Sequence, residues 1–387
     1  MAAESAKEFE ALEAQATTLL EAFRRAGYEQ VAPSIIQPAN VYLDQIGEQL
    51  RSRTYVFTDL AGDEFCLRPD LTVPVSRLYL ERHPKADKPA RYCYNGPAFR
   101  FQLHAPRRHR EFRQAGIECF GERDKAKADV EIVLLAVDAV RGAGLRSFRL
   151  RFGDIALFYV LLDALSLPER WRLKLSHYFW RPQAFHALLS RLAKGERPDG
   201  NGPIAALAKA ISGLAPERAE ERIVAYLGAQ SLPLSGNRTL GEIVARLLDH
   251  AADLKADPLP REVATVIDYY VAVSGPPREA ADRIAMIAKG AGLDLGSALQ
   301  TYTRRLDQIE KGGIDLGRAT FTAEFGRSLE YYSGLVFQIE APGSDDAIGG
   351  GGRYDHLLSY LGAPKEVPAI GCALHTERLL AAIRRDA

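Results

Sequence analysis

Gly96-Pro97-Ala98-Phe99-Arg100, followed after a loop by Glu111-Phe112-Arg113-Gln114-Ala115-Gly116-Ile117-Glu118, is the stretch on which the fold of this chain turns. Apolar and polar residues alternate on both sides of the loop Gln102–Arg110. This period-two pattern predicts that Tyr92–Phe101 and Glu111–Phe120 pair as a hairpin. On the second strand Gln114, Gly116 and Glu118 then share one face, two polar side chains either side of a glycine that leaves room for a ligand. That is the layout of a pocket floor. The loop gathers Arg107, Arg108 and Arg110 with His104 and His109, and Arg100 and Arg113 flank it. Guanidinium forks suit phosphate because they donate two parallel charge-assisted hydrogen bonds. A solvated basic loop accounts for the same residues equally well.

Outward from the hairpin, Phe9, Leu12, Ala16, Leu19 and Phe23 recur at helical spacing and predict an amphipathic helix that stops before Gly27. Thr54–Asp59 and Glu64–Arg68 alternate as strands, Asp129 is placed to cap a helix running to Arg141, and Phe148, Leu150 and Phe152 mark another strand. Between residues 165 and 312 the texture becomes Ala/Leu/Arg-rich and helical. Strand patterning returns at Arg318–Phe325 and Gly334–Ala341, then near Ala369–Ala373 before a last helix from His375. The expectation is an α+β fold: a mostly antiparallel sheet flanked by helices, encoded by residues 1–164 and 313–387 and split by a helical insertion over 165–312.

Three further segments carry candidate chemistry. Leu67-Arg68-Pro69-Asp70-Leu71-Thr72 sets a carboxylate and a hydroxyl just beyond a strand, able to accept from an ammonium group, though Pro-Asp at a strand end is also an ordinary turn. Gly326–Gly334 holds Arg327, Glu330, Tyr331 and Tyr332 between two strands, either as pocket residues or as a wide hairpin with aromatic packing. Ala347–Asp355 (AIGGGGRYD) has four successive glycines, which permit close backbone approach to a ligand or to another strand. No Lys-Ser/Thr follows them, so this is not a phosphate-binding P-loop.

Composition narrows the possibilities. Fifty basic and fifty acidic residues balance, so no global field favours nucleic acid, membranes or acidic partners. Cys66, Cys93, Cys119 and Cys372 stand singly among apolar residues and make no metal-ligand pattern. They read as small buried residues of a reducing compartment, and the charged N-terminus lacks the apolar core of an export signal. No run of eighteen apolar residues occurs. The expectation is a soluble cytoplasmic protein with no metal and no cofactor.

The order and spacing of the segments resemble the histidyl-tRNA synthetases. Gly96–Arg100, then Gln114 fourteen residues after Arg100, then Gly116-Ile117-Glu118, is similar to motif 2 of that family without a gap. Leu67–Thr72 resembles its RPEGT segment and Arg327–Tyr332 its RGLDYY segment. Gly352-Arg353-Tyr354-Asp355 with Gly371 to Arg378 resembles its motif 3 region. The resemblance covers roughly residues 5–160 and 312–387 and implies the class II aminoacyl-tRNA synthetase fold, normally dimeric. It implies that Asp70, Thr72 and Gln114 hold the α-ammonium of histidine. Glu118 and Tyr332, with Tyr331 beside them, would meet the imidazole, and Arg327 would face the carboxylate. Arg100 and Arg378 would stand where that family binds ATP phosphates.

The departures shape the functional expectation. Gln102 replaces a motif 2 glutamate, His375 a motif 3 glycine, Leu71 the glycine of RPEGT, and Ser328 and Glu330 the Gly and Asp of RGLDYY. The nucleotide side, with Arg100, Gln102 and Arg378, thus reads as vestigial and the histidine side as kept. Only nine residues follow Arg378, too few for a tRNA anticodon-binding domain of about a hundred residues. This combination resembles the ATP phosphoribosyltransferase regulatory subunits. The resemblance implies a non-catalytic protein with no catalytic residues that enables a short-form catalytic subunit and relays L-histidine feedback, as a homodimer within a hetero-oligomer, without tRNA. The alternatives are a free-standing ligase that activates histidine as an adenylate, and an RNA-binding module built on the Arg100–Arg113 loop.

Overall fold

A computed structural model describes residues 5–43, 53–101, 110–196, 202–229, 240–325, 331–344 and 346–386. Helix α1 (Ala6–Arg25) precedes β1 (Glu29–Gln30), β2 (Ile36–Pro38), β3 (Tyr55–Thr58), β4 (Glu64–Leu67) and helix α2 (Thr72–Arg82). The predicted hairpin follows as β5 (Ala90–Phe99) and β6 (Glu111–Phe120), then α3 (Lys125–Gly142), β7 (Arg149–Asp154) and α4 (Ile155–Ala164). Six helices come next: α5 (Glu169–Tyr178), α6 (Pro182–Ala193), α7 (Pro203–Ile211), α8 (Pro216–Ala229), α9 (Leu240–Lys255) and α10 (Arg261–Val271). The chain then forms β8 (Ser274–Gly275), α11 (Pro277–Gly290), α12 (Gly296–Lys311), β9 (Ala319–Thr322), β10 (Leu335–Glu340), β11 (Gly349–Arg353), β12 (Ala369–His375) and α13 (Thr376–Asp386).

Among the described residues nine strands make one sheet in the order β1-β5-β6-β12-β11-β10-β7-β9-β8, antiparallel except at β1/β5 and β7/β9. A second sheet, β2-β4-β3, is antiparallel throughout. Contacts divide the chain into two units, Met1–Leu161 with Tyr270–Ala387, and Leu162–Tyr269. The helical stretch expected over 165–312 as one insertion is therefore shared: α11 and α12 belong to the first unit, where Tyr302 packs on Phe321 of β9. In the second unit Ala208, Ile211, Ala219, Ile223, Val244 and Leu247 join α7, α8 and α9 around a small apolar core.

Local chemistry explains most element ends. Ser5 caps α1 by accepting from the Glu8 N–H at 3.3 Å, and Gly27, at φ +88°, takes the left-handed turn that ends it. Leu12, Ala16, Leu19 and Phe23 are buried as their spacing predicts, but Phe9 is 47% exposed and carries the Arg113 guanidinium 5.3 Å above its ring. The cap of α3 is Asp124, which accepts from the Lys127 N–H at 3.0 Å, and not Asp129. Asp129 lies inside that helix, buried, because it has cationic partners there.

Those partners form a buried charge cluster. Arg305 of α12 bridges Asp129 and Asp154, and Arg353 of β11 pairs with Asp129 (2.6 Å) and Asp355 (2.8 Å). Lys125 reaches Asp355 at 2.7 Å, and the Ala369 N–H donates to the same carboxylate at 2.9 Å. Arg353 beside it holds Asp355 below the usual carboxylate range although burial opposes this, while at Asp129 burial outweighs its two arginines and raises the carboxyl. Removing one member strands charges in a dry interior. Arg305→Met should therefore cost on the order of 3–5 kcal/mol, read as a lower urea midpoint, because Asp154 and part of Asp129 lose their cation.

Candidate functional site

Strand register builds the site. Cα partners run in three rows across the sheet: Gly96, Gln114 and His375; Tyr94, Gly116, Ala373 and Gly350; Tyr92, Glu118, Gly371 and Gly352. Directly opposed residues point the same way, so these rows share one face. The middle of that face is nearly bare, since beyond Tyr94 it carries only Gly116, Ala373 and Gly350. A Cβ at Gly116 would stand 2.5 Å from the Tyr94 hydroxyl oxygen. The four-glycine run is a strand between β10 and β12, one of the two roles left open by its sequence, and its Gly350 lines a cleft.

This cleft encloses about 490 Å³ of space open to solvent and is lined by Asp70, Thr72, Arg100, Gln114, Tyr331, Tyr332, Tyr354 and His375 over a floor of Gly350 and Gly371–Ala373. Asp70, Thr72, Gln114, Tyr331 and Tyr332, expected around one ligand, are brought together with Arg100. Arg327 and Gln102, with Ser328, Glu330 and the basic loop over 102–109, lie outside the described residues. Arg378 does not line the cleft; its Nη1 donates to the Ala347 carbonyl at 2.9 Å and its Nη2 lies 3.6 Å from Asp346.

Glu118 is fully buried and does not line the cleft either. Its carboxylate accepts from the hydroxyls of Thr72 (2.7 Å), Tyr94 (3.0 Å) and Tyr354. It folds over Gly371, where any Cβ would overlap it. Burial pushes its pKa up to about 7 against the pull of the three hydroxyls. Because Thr72 spends its hydrogen on Glu118, its oxygen can present only lone pairs to the cleft.

Two more acceptors stand beside it. Asp70 is 3% exposed; one carboxylate oxygen accepts from the Val73 N–H at 3.1 Å, and the other has no hydrogen-bond partner among the described residues. The amide oxygen of Gln114, also 3% exposed, likewise has none among them. Buried acceptors left unpaired cost about 1–3 kcal/mol each, so the cleft favours a ligand that donates. Burial raises the Asp70 pKa, with Arg100 and Arg68 countering. Arg100 is aimed by its Nε bond to the Pro69 carbonyl at 2.8 Å and rests 5.0 Å from the Phe112 ring centre. The His375 ring packs 5.1 Å from the same phenyl, filling space that a glycine would leave open.

Tyr94 and Tyr354 were not singled out in the sequence as carboxylate partners. Tyr354 stands in the GRYD segment, but its reach to Glu118, 236 residues away in sequence, follows only from the packing of the loop after β11.

A family model described as Histidyl-tRNA synthetase matches residues 4–196 and 244–379. The ATP phosphoribosyltransferase regulatory subunit of Agrobacterium fabrum is 35% identical over 367 residues, 94% of this chain and 95% of that protein. The chain belongs to the ATP phosphoribosyltransferase regulatory subunit family, on a histidyl-tRNA synthetase framework. A protein of the same name from Mesorhizobium japonicum is 35% identical over 376 residues, 96% of this chain and 97% of that one. In fold, a regulatory subunit/histidyl-tRNA synthetase from Bacillus halodurans superposes with TM-score 0.67 at 18% identity, covering 99% of this chain and 82% of that one. The expected class II synthetase architecture is thus the one this regulatory-subunit family uses.

The Glu118 carboxyl gives the fold a pH signature. Its folded value, about 7, lies above its ordinary value of 4.5, so the folded state keeps a proton that the unfolded chain releases. Its contribution is therefore most favourable below about pH 4.5 and declines as pH rises toward 7, by on the order of 3 kcal/mol in all. Urea unfolding at about pH 5 and about pH 8 should show this decline in the wild type, and Glu118→Gln should flatten it.

Proposed function

We propose that this chain is the regulatory partner of a short-form ATP phosphoribosyltransferase catalytic subunit in the first step of histidine biosynthesis, and that its cleft binds L-histidine as the feedback effector. The observation that carries the ligand is the trio of acceptors among the residues that line the cleft: the Asp70 carboxylate, the Thr72 oxygen turned by Glu118, and the Gln114 amide oxygen. A primary ammonium has three N–H groups and no acceptor, which matches that trio. In this reading Tyr331 and Tyr332 wall the ligand's ring, and Glu118, buried behind Thr72 and Tyr354, acts by orienting their hydroxyls rather than by touching the imidazole. Arg327 remains the proposed partner of the ligand carboxylate, and Arg100 and Arg378 remain as remnants of a nucleotide side.

The relatives are named as regulatory subunits and not as catalytic ones, which supports a chain without catalysis of its own. In this reading ATP and phosphoribosyl pyrophosphate are bound by the partner, and no tRNA is involved. Histidine acts through unequal affinity for two states of the assembly, the only way an effector shifts an equilibrium. A homodimer inside the hetero-oligomer is supported by the outer face of the β2-β4-β3 sheet, where register sets Ile36, Leu67 and Tyr55 beside Pro38, Phe65 and Phe57, with Ile36 52% and Phe57 39% exposed. Among the described residues no helix is long and apolar enough to cross a membrane, consistent with a place in the cytoplasm.

The test mixes the chain with a short catalytic subunit and assays phosphoribosyl-ATP formation with and without histidine. Activation that histidine reverses is expected; no activation, together with histidine-dependent pyrophosphate exchange by the chain alone, would favour a histidine-activating ligase instead. Calorimetry should show histidine binding weakened roughly ten- to a hundredfold in Asp70→Asn, since a hydrogen bond to a charged group contributes about 1.5–3 kcal/mol. Unchanged affinity in that variant would place the effector elsewhere.

A further inference from the structure

The second unit carries an open groove that the histidine reading does not use. It lies along α5, α6 and α9, holds about 1440 Å³ of space open to solvent, and has a wall of small apolar residues that includes Ala184, Ala187 and Ala245. Short side chains let another backbone come close, and the volume is far beyond what a single inorganic anion fills.

The groove's charges divide into a spent set and an unspent one. At its floor Asp253, whose side chain is 5% exposed, is held by Arg170 (2.7 Å) and by Lys174, and Asp249 is held by the same two cations. Those carboxylates are neutralised within the unit. Arg191 and Arg246 line the same groove and have no carboxylate partner among the described residues. The Nε of Arg191 and the Nε2 of His250 are shielded from solvent and have no hydrogen-bond partner among the described residues. A shielded guanidinium N–H is a donor that only an acceptor can satisfy. The uncommitted character of the groove is therefore cationic and donating, beside an apolar wall.

We propose that this groove docks an acidic segment of the catalytic subunit, with carboxylates of that segment on Arg191 and Arg246 and its apolar side chains against the alanine wall. The inference rests on the regulatory-partner reading above and adds the surface that makes the contact. Complementary charge of this kind steers association and weakens with salt, while the apolar wall supplies contact area.

The double variant Arg191→Glu/Arg246→Glu tests it, measured as the dissociation constant for the full catalytic subunit by analytical ultracentrifugation at low and high salt. Wild-type assembly should weaken as salt rises, and charge reversal should weaken it at least about tenfold at low salt and remove most of the salt dependence. Neither arginine has an ion pair within the chain among the described residues, so the variant should keep the wild-type circular dichroism melt. If the melt does fall, a photo-crosslinker at Ala187 replaces it as the readout and should capture an acidic peptide of the catalytic subunit. An assembly that charge reversal leaves unchanged, or crosslinks that fall on a non-acidic segment, overturns the groove while the regulatory reading stands. No assembly by the wild-type chain overturns both.

Discussion

A carboxylate placed in the middle of a sheet constrains everything around it. Glu118 is fully buried, so β5 supplies Tyr94, α2 supplies Thr72 and the loop after β11 supplies Tyr354 to hydrogen-bond it. β12 must carry a glycine at Gly371, because the carboxylate occupies the position a side chain would take. Four separate segments are thus tied to one group, and their common surface is the floor of the cleft. The cleft in turn inherits its polarity from that arrangement: Thr72 faces the cleft as an acceptor because its proton is engaged below.

The buried charge cluster does complementary work at the back of the sheet. Asp129, Asp154 and Asp355 with Arg305, Arg353 and Lys125 join α3, α12, β7 and β11. Ion pairs in a dry interior add little net stability over apolar packing, but they penalise any mispairing heavily. Here they pin β11, a strand of four glycines and an arginine with few side chains to define its register. Arg353, its one large residue, does that through Asp129 and Asp355, and its neighbour Tyr354 is delivered to Glu118 as a result.

Much of the fold was legible in residue order. Period-two alternation over Tyr92–Phe101 and Glu111–Phe120 marks β5 and β6 to within two residues, and Gln114, Gly116 and Glu118 do share a face. Helical spacing marks α1, with Phe9 the exception because Arg113 shields an exposed ring. Asp129 misled as a cap because a short acid near a helix start is the usual cap, and nothing local reveals two arginines 176 and 224 residues away. The division of 165–312 between two units was equally hidden, since α11 and α12 have the same texture as the helices before them and differ only in what they pack against.

By itself the sequence determined most of the elements, the shared face of Gln114, Gly116 and Glu118 on β6 and, through ordered motifs, the family, because alternation, spacing and residue type are local properties. Tertiary structure alone decided that Glu118 is buried against Gly371 and does not line the cleft, that the second Asp70 oxygen and the Gln114 amide oxygen have no hydrogen-bond partner among the described residues, and that Arg378 is drawn off to Ala347 and Asp346. Each of these depends on which distant group reaches a given polar atom first. That competition is settled only when strand register and loop packing bring residues hundreds of positions apart within hydrogen-bonding distance.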